Sequence, residues 1–466
     1  SVLLGAYAQL ESSACIERMS IWGEMRSDNI VAGNNASTDI LNITKENIMQ
    51  TNSYMSWACF YDVINRANTV LEFAPLVAEK DPNYRVSELY ANIAEAKAIR
   101  ALSYFYLIRA YKDVPYVTIP STDDTNEFVV PAEKFENILD SLIMDLEEVR
   151  TYAVNKYTNK KANTARFTRN GIDALLADLY LWDGDWDNCI AAVDRIVANR
   201  VEEYKEILEK EPNTTLVLFN NEYPLISNLS PGSGNLGNAY NEIFGKGNSF
   251  ETLFELAFEG GSGSVENTFI RNYYADRRQS SNSIGSLKVE ARVASNIGTA
   301  SNIVYKSAHD GRVYESMDKD GSDKGITKYV YSDVSYSIDN AGTLKSGKVE
   351  RAARGENSAS SWIIYRLTDV MLMKAEALVQ KAAEFDASET ELSDSVKSIR
   401  TAYMQEAFDI VKIVNNRAKG YDVKEIEDDV LKFSSYSSNT SLMSDLVLEE
   451  RRRELMFEGK RWFDLV

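Results

Sequence analysis

The chain has 466 residues, of which 44% are hydrophobic, so it is long enough and apolar enough to bury a sizeable core. Its formal net charge of −19 argues against nucleic-acid binding, because phosphate recognition needs clustered Lys and Arg. No run of about 18 apolar residues occurs, so the sequence predicts no membrane-spanning helix.

The chain opens with SVLLGAYAQL, which lacks a basic leader and a small-residue cleavage site. We therefore predict the start of a helix there rather than a signal peptide. Residues 52–73, 84–111 and 132–150 then repeat apolar positions at helical spacing. The second of these patterns stops at a breaker that contains Pro115. The pattern predicts a series of helices over residues 1–200.

One predicted helix pair is more informative than the others. Thr168 is placed to cap a helix that ends at Gly184, and a second helix follows from Trp186. The small side chains of Ala177 and Cys189 would let the two helices approach closely. This order of small, aromatic and glycine positions is the tetratricopeptide arrangement. The other pairs are longer and irregular, which predicts a superhelical scaffold without a strict repeat.

The middle of the chain has a different amino-acid composition. Its segments rich in Gly, Ser and Asn predict long loops with a few small strands, one of them at Leu253 to Phe258. Helical periodicity returns at 362–382, 391–418 and 441–458. We therefore predict one mainly α domain over residues 1–466. Its helical scaffold would cover 1–200 and 362–466, and a loop-rich irregular ligand-binding face would lie at about 201–361.

The sequence predicts neither a metal site nor a cofactor. Cys15, Cys59 and Cys189 each lie in a predicted helix, no Cys/His ligand spacing occurs, and His309 is the single histidine. We expect the cysteines to be buried as small apolar residues rather than joined in a disulfide framework. No acidic calcium-binding loop is present.

Three long motifs lie at AEAKAIRALSYFYLIRAYKDVPYV (94–117), YRLTDVMLMKAEAL (365–378) and LEERRRELMFEGKRWFDLV (448–466). Together they resemble the SusD/RagB family of outer-membrane nutrient-binding lipoproteins. Weaker similarities lie at 25–30, 61–72 and the Asp310-Gly311-Arg312 step. The chain departs from the family in having Lys112 where glycine is usual, and the family usually continues beyond the Trp-Phe-Asp-Leu motif.

The resemblance implies a SusD-like fold and a surface-facing protein of a Gram-negative outer membrane, held by an N-terminal lipid anchor absent from this sequence. It implies capture of an oligosaccharide or polysaccharide and its delivery to a SusC-like TonB-dependent transporter. Some relatives handle peptides, so a peptide ligand is one alternative. An intracellular tetratricopeptide-type scaffold is another, although a pure scaffold would not need the long loop-rich middle.

The resemblance also implies that the motifs build the scaffold while variable loops bind the ligand. We place Arg366 and Glu376 on the polar side of one helix, and we expect Glu449 and Glu450 to pair with the arginines at 451–453 at helical spacing. Trp462 and Phe463 are predicted to fill the core beside them.

Candidate ligand-binding residues then come from the irregular regions, within 22–35 and 220–310. Sugars are bound by aromatic rings that stack on pyranose faces and by polar side chains that read the hydroxyl groups. Aromatic residues with neighbouring polar groups in predicted loops fit this chemistry: Trp22, Asp28, Asn29, Tyr223, Tyr240, Asn241, Asn272, Tyr273 and Tyr274.

A glycoside hydrolase is the natural enzyme alternative, since it needs only a pair of carboxylates. In a chain with 70 Asp and Glu residues such pairs carry no information. His309 has no GxSxG-type partner, and no phosphate-binding loop or dinucleotide fingerprint occurs. We therefore predict a binding protein and not an enzyme.

Overall fold

The computed structural model describes residues 2–122, 129–258, 260, 266–275, 285–318, 325–355, 359–386, 393–421 and 426–466. Helices dominate both ends of the chain, whereas the middle holds short elements. The helices of the first half are α1 (Val2–Leu10), α2 (Ser13–Glu24), α3 (Thr38–Thr44), α4 (Ala58–Lys80), α5 (Val86–Tyr111), α6 (Phe135–Val149), α7 (Ala162–Ala165), α8 (Arg169–Asp183) and α9 (Trp186–Lys210). Those of the second half are α10 (Asn238–Tyr240), α11 (Ala291–Ala294), α12 (Arg312–Ser316), α13 (Leu367–Asp386), α14 (Asp394–Ala418) and α15 (Thr440–Leu455).

The helices α4/α5, α8/α9 and α13/α14 pack as pairs, and α13 also packs on α9 and α15. In the second pair, the Thr168 hydroxyl accepts the amide of Gly171 at 3.4 Å, and Gly184 ends α8 with a φ of 78°. The Asp185 side chain then caps α9. The predicted mainly α fold with tetratricopeptide-like helix pairs is confirmed, because caps and breakers were readable in the sequence.

Helix α5 is buried over its second half, with Ala94 and most residues up to Ile108 inside the core. It ends where Lys112 takes a φ of 68°, a conformation that L-residues with a side chain rarely adopt. This is the position at which the resembled family usually has glycine. The departure noted in the sequence therefore places a lysine where the backbone favours glycine.

The strands are short and pair two by two, and every pairing is antiparallel. They are β1 (Ile30–Ala32), β2 (Val114–Pro115), β3 (Ala132–Glu133), β4 (Leu216–Phe219), β5 (Tyr223–Ile226), β6 (Thr252–Leu256), β7 (Leu287–Val289), β8 (Tyr331–Ser335), β9 (Glu350–Ala353) and β10 (Trp362–Arg366). The strand predicted near Leu253 is therefore present as β6. Its pairing with β10 ties the middle of the chain to the start of α13.

The predicted helix at 362–382 is wrong in its first turn. Residues Trp362 to Arg366 form β10 and are all buried, and α13 begins only at Leu367. Arg366 therefore does not share a helix with Glu376. A short run of aromatic and β-branched residues fits a fully buried strand, and periodicity alone does not separate such a run from a buried helix. Pairing with β6 decides the outcome.

The arginines of α15 behave in two ways. Arg453 pairs with Glu450 at 2.8 Å, as helical spacing predicts. Arg451 and Arg452 instead reach residues distant in sequence, with Asp464 at 2.8 Å from Arg451 among them. Phe463 is buried as predicted.

Charged residues of the motifs meet Arg417 of α14 in what we call the buried ion cluster: Arg312, Arg366, Arg417, Glu450, Glu454 and Glu458. Arg366 donates to Glu454 at 2.7 Å and to Glu458 at 2.8 Å, and Arg417 donates to Glu454 at 2.7 Å. These residues come from β10, α12, α14, α15 and the turn after it. The cluster therefore fixes the C-terminal helices to the loop-rich middle of the chain.

Candidate ligand-binding site

The structure buries the aromatic residues that the sequence suggested for stacking on a sugar. Trp22, Tyr223, Tyr240, Tyr273 and Tyr274 are each at most 7% exposed. A ring must present a free face to stack on a pyranose. The expectation of exposed stacking rings is therefore wrong for these five residues, since neighbouring protein atoms cover their faces.

Their polar atoms are also engaged by the protein. Trp22 Nε1 donates to the carbonyl of Tyr54 at 2.9 Å, and the hydroxyls of Tyr54 and Tyr273 share a hydrogen bond of 2.8 Å. The Tyr274 hydroxyl donates to the carbonyl of Phe457 at 2.7 Å. Burial raises the pKa of Tyr273 and Tyr274, so their hydroxyls stay protonated donors. These aromatic residues anchor loops to the core.

The remaining two tyrosines pack elsewhere. The Tyr240 hydroxyl donates to the carbonyl of Tyr331 in β8 at 3.2 Å, and Lys374 Nζ donates to the Tyr223 hydroxyl at 3.5 Å. Burial raises the pKa of Tyr240 and Tyr223 as well.

The polar candidates differ in how free they are. Asp28 is paired with Arg461 and Arg452, and the buried amide of Asn29 donates to Glu24 at 3.0 Å. The Asn241 side chain bonds both backbone groups of Val334. By contrast, the side chain of Asn272 is exposed.

The pairing of β1 with β7 brings part of the two predicted binding regions together, with Ile30 opposite Val289. Trp22, Asp28, Asn29 and the residues 272–274 therefore lie in one part of the molecule. Tyr240 and Asn241 pack against β8 instead. The nine candidates do not converge on one open site.

A cavity of about 420 Å³ opens in the loop-rich part of the described chain. We call it the loop-face cavity. Its apolar floor consists of Leu229, Leu236 and Ile338, and the polar side chains around it are His309, Asp339, Asn340, Lys345, Lys419 and Tyr421. Apolar surface with a few convergent polar groups is the usual make-up of a small-ligand pocket.

The floor is shaped by backbone pairing at three points: Leu229 with Leu236, Leu236 with Tyr336, and Ile338 with Leu344. Gly420 closes α14 with a φ of 68°, and a Cβ on it would lie 2.6 Å from Leu236 Cδ2. Only glycine therefore fits there, both for its backbone conformation and for the close approach. This turn positions Tyr421 at the cavity wall.

One carboxylate organises that wall. Asp429 Oδ2 accepts from the Ser307 and Tyr421 hydroxyls, both at 2.8 Å, and lies 3.2 Å from Lys419 Nζ. His309 Nδ1 lies 3.4 Å from the same oxygen. Burial alone would raise the pKa of Asp429, but Lys419 and the hydrogen bonds hold it below its usual value. The wall is thus a fixed set of side chains.

The rim is more open. The Asp339 carboxylate accepts the amides of Ala341 and Thr343, both at 2.9 Å, and these bonds hold the pKa of Asp339 below its usual value. Asn340 and Lys345 are exposed. The rim therefore presents a carboxylate, an amide and an ammonium group, which together can read the hydroxyl groups of a polar ligand.

Sequence reasoning missed the rim and wall residues. Asp339 and Asn340 lie in the loop-rich region at about 201–361, but the aromatic residue nearest to them in sequence, Tyr336, is buried. The signal was the Asp-Asn-Ala-Gly turn itself, which favours a loop with exposed polar side chains. Tyr421 and Asp429 both follow α14 in sequence, and nothing in their spacing indicated that they meet.

A second cavity, of about 310 Å³, is lined by motif residues that include Arg109, Glu376 and Arg451. Its walls belong to the helical scaffold, so we regard the loop-face cavity as the better ligand site. Among the described residues no group of His, Cys, Asp and Glu could hold a metal ion. In the same part of the chain, no helix combines the length and the apolar character that crossing a membrane requires.

Comparison with known proteins gives consistent results. Residues 265–466 match the model of the SusD family, and residues 1–181 match a family described as starch-binding and associating with the outer membrane. The SusD-like protein P38 of Formosa agariphila is 24% identical over 475 residues, which cover 100% of this chain and 82% of P38. The SusD-like protein P2 of the same organism is 22% identical over 421 residues, covering 88% of this chain and 70% of P2.

Solved structures show the same fold. A SusD superfamily protein from Bacteroides thetaiotaomicron superposes with a TM-score of 0.65 at 18% identity, covering 100% of this chain and 88% of that one. A SusD superfamily protein from Bacteroides fragilis gives a TM-score of 0.66 at 17% identity, with the same coverage of both chains.

Proposed function

Since this chain belongs to the SusD/RagB family, we propose that it captures an oligosaccharide at the cell surface, with the loop-face cavity as its binding site. The family binds glycans at the cell surface and is associated with the outer membrane. The single observation that supports the site is a cavity of about 420 Å³ that combines an apolar floor with a polar rim.

Delivery to a SusC-like TonB-dependent transporter is part of the proposal, as is a lipid anchor that holds the protein on the outer face of a Gram-negative outer membrane. Family members work with SusC-like transporters. Capture without catalysis is the role that fits such a partner, and proteins of this family are binding proteins rather than enzymes. We propose the same for this chain.

The binding chemistry would divide between floor and rim. Leu229, Leu236 and Ile338 offer a surface for the apolar face of a sugar ring, whereas Asp339 and Asn340 can bond to its hydroxyls. The hydroxyl of Tyr421 is already committed to Asp429, so it holds the wall in place. Such a division would bind sugars without a stacked aromatic ring.

A glycan-panel screen on the purified chain tests the function, first by affinity electrophoresis and then by calorimetry, with a peptide mixture beside it. Saturable binding to one polysaccharide without release of new reducing ends is the expected result. Binding to peptides alone would assign the chain to the peptide-binding alternative, and release of reducing ends would contradict the absence of catalysis.

The site is tested by the double variant Asn340→Ala/Lys345→Ala, which removes two exposed rim side chains. We expect the affinity for the identified glycan to fall about tenfold, in line with the loss of two polar contacts. Asn272→Ala is the matched control, since its side chain is exposed in the same loop-rich part but outside the cavity. A loss of affinity in the control with none in the double variant would move the site to the β1/β7 region.

A further inference from the structure

Tyr90 and Tyr152 form what we call the exposed tyrosine pair. The chain has 26 tyrosines, all of them among the residues that the structure describes, and only these two have exposed side chains, at 43% and 51%. Their rings stack with centroids 4.9 Å apart and an angle of 24° between their planes. Because each ring covers one face of the other while about half of both side chains stays exposed, the outer ring faces are open to solvent.

Two separate elements hold the pair in place. Tyr90 lies in the first half of α5, a helix whose second half is buried in the core. Tyr152 ends a short helical turn that follows α6. Arg169 fixes this turn, because its guanidinium donates to the Thr151 carbonyl at 3.0 Å and its amide donates to the Val154 carbonyl at 2.9 Å. The two rings are therefore positioned before any ligand arrives, which lowers the entropy cost of binding.

The exposed tyrosine pair has what the five buried aromatic candidates lack. A sugar ring stacks on an aromatic face that solvent can reach, and its hydroxyls need polar partners at the edge of that face. Within the described part of the chain, neither the Tyr90 nor the Tyr152 hydroxyl has a hydrogen-bond partner. Each ring thus combines an open face with a free hydroxyl.

The contact between the rings also ties α5 to the turn after α6. For that purpose alone the rings would be better buried, since apolar area that stays in water contributes nothing to the stability of the fold. Every other tyrosine of the chain is covered to a larger extent. The exposure of this pair therefore points to a partner outside the chain.

We propose that the exposed tyrosine pair is a second carbohydrate-binding site, at which sugar units of a polysaccharide stack on the open ring faces. The proposal rests on the proposed glycan capture but not on the loop-face cavity as its site. A second contact raises the avidity for a long chain with many repeats more than the affinity for a short oligosaccharide. The pair would therefore favour polymers over small sugars.

Nitration of tyrosine rings by tetranitromethane tests the site on the whole folded chain. In buffer alone, we expect nitrotyrosine in the peptides that contain Tyr90 and Tyr152, since these are the exposed tyrosines. The reaction is repeated with starch, xylan, a β-glucan or pectin, and peptide mass spectrometry measures the nitrated fraction. A polysaccharide that binds the chain should protect both rings. Equal nitration with and without a bound polysaccharide would overturn the proposal.

Affinity electrophoresis in gels that contain the same polysaccharides tests the contribution of the rings. The double variant Tyr90→Ala/Tyr152→Ala should bind about three- to tenfold more weakly, whereas Tyr90→Phe/Tyr152→Phe keeps the ring faces and should retain most of the affinity. Met144→Ala is the matched control, because it removes an apolar but non-aromatic side chain of α6 that is 72% exposed. An equal loss in Met144→Ala would indicate unspecific apolar adhesion and contradict the proposal.

The outcomes separate this site from the proposed function. If the alanine double variant melted at a lower temperature but bound like the wild type, the pair would be structural and the proposal wrong. If Asn340→Ala/Lys345→Ala weakened binding and the tyrosine variant did not, the loop-face cavity would be the site and the pair would not. If the wild type bound no polysaccharide at all, glycan capture itself would be overturned, and this site with it.

Discussion

The buried ion cluster and the loop-face cavity both contain charged residues, yet these residues have different roles in the two places. In the cluster the charges face each other: Glu454 is 4% exposed and accepts from Arg366, Arg417 and Arg312. At the cavity rim, Asn340 and Lys345 face open space. Charges that satisfy one another hold a fold together, whereas polar groups with free hydrogen-bonding capacity are what a ligand needs.

The sequence gives no simple rule for telling the two regions apart. Arg366 lies in a motif and Asp339 in a loop, but the chain has many charged residues in motifs and many in loops. What distinguishes the two regions is which side chains the fold places next to each charged residue. Variants in each region test this distinction.

The largest effect is expected for Glu454→Gln, which removes one charge from the cluster at nearly constant volume. Burial would raise the pKa of Glu454, but the three arginines hold it well below its usual value, so the side chain is ionised in the folded protein. Without it, the buried arginines lose a partner, which costs about 3–5 kcal/mol. Urea denaturation at neutral pH measures the loss.

Arg400→Met is the matched control for that variant, because it breaks a two-bonded pair with Asp386, whose side chain is 38% exposed. Exposed pairs contribute roughly 0–1 kcal/mol. Equal losses of stability in the two variants would contradict the special role of the buried cluster.

The free energy of unfolding, measured over a range of pH, distinguishes a carboxyl group whose pKa is raised in the folded protein from one whose pKa is lowered. Burial raises the pKa of Glu376, beside the second cavity, to about 7, so its proton is bound more tightly in the folded than in the unfolded chain. Its ionisation therefore destabilises the fold as the pH rises from the unfolded pKa through about 7. Glu454 has the opposite sign: its contribution is present above the unfolded pKa and is lost as the pH falls toward the folded one.

The corresponding variant is Glu376→Gln. We expect it to be more stable than the wild type by about 1–2 kcal/mol near pH 8, since the side chain is partly exposed and solvent screens part of the charge. Near pH 4 the two proteins should unfold at similar urea concentrations, because the wild-type carboxyl is then protonated in both states. A gain in stability that is the same at both pH values would contradict this assignment.

Tyr421→Phe probes the wall of the loop-face cavity. Removing the hydroxyl takes one of the donors from Asp429 and loosens the side chains around the ligand. We expect about three- to tenfold weaker glycan binding, equivalent to roughly one lost hydrogen bond, with a calorimetric readout. Tyr240→Phe serves as the control, since its buried hydroxyl bonds only backbone carbonyls away from this cavity. If Tyr240→Phe weakened binding and Tyr421→Phe did not, the ligand would lie nearer β8.

The smallest effect on stability is expected at Lys112, which lies outside both regions. Lys112→Gly relieves a backbone with φ of 68° at the end of α5. We expect a gain of about 0.5–1 kcal/mol in the free energy of unfolding, as the left-handed strain exceeds the added chain entropy. A loss of stability would mean that the Lys112 side chain contributes more than the strain removes.

Most of the fold could be predicted from the sequence, because helix boundaries depend on local chemistry. Thr168, Gly184 and the breaker at Pro115 each mark an end that the structure reproduces. Where two local solutions compete, prediction failed: the buried run from Trp362 to Arg366 fits a helix or a strand, and only its partner β6 decides.

The candidate site was much harder to predict. Polar residues in loops were found as a class, but Trp22 and Tyr240 look the same in sequence whether their rings face a ligand or the core. The meeting of Tyr421 with Asp429 joins residues whose neighbours in sequence carry no sign of the contact.

By itself the sequence determined the family, the helix pairs and the loop-rich middle, since these follow from periodicity, caps and motifs read along the chain. The tertiary structure alone decided which charges neutralise each other and which polar groups remain open to a ligand. The reason is that hydrogen-bonding capacity is used up by contacts in space, and such contacts join residues as far apart as Arg312 and Glu454.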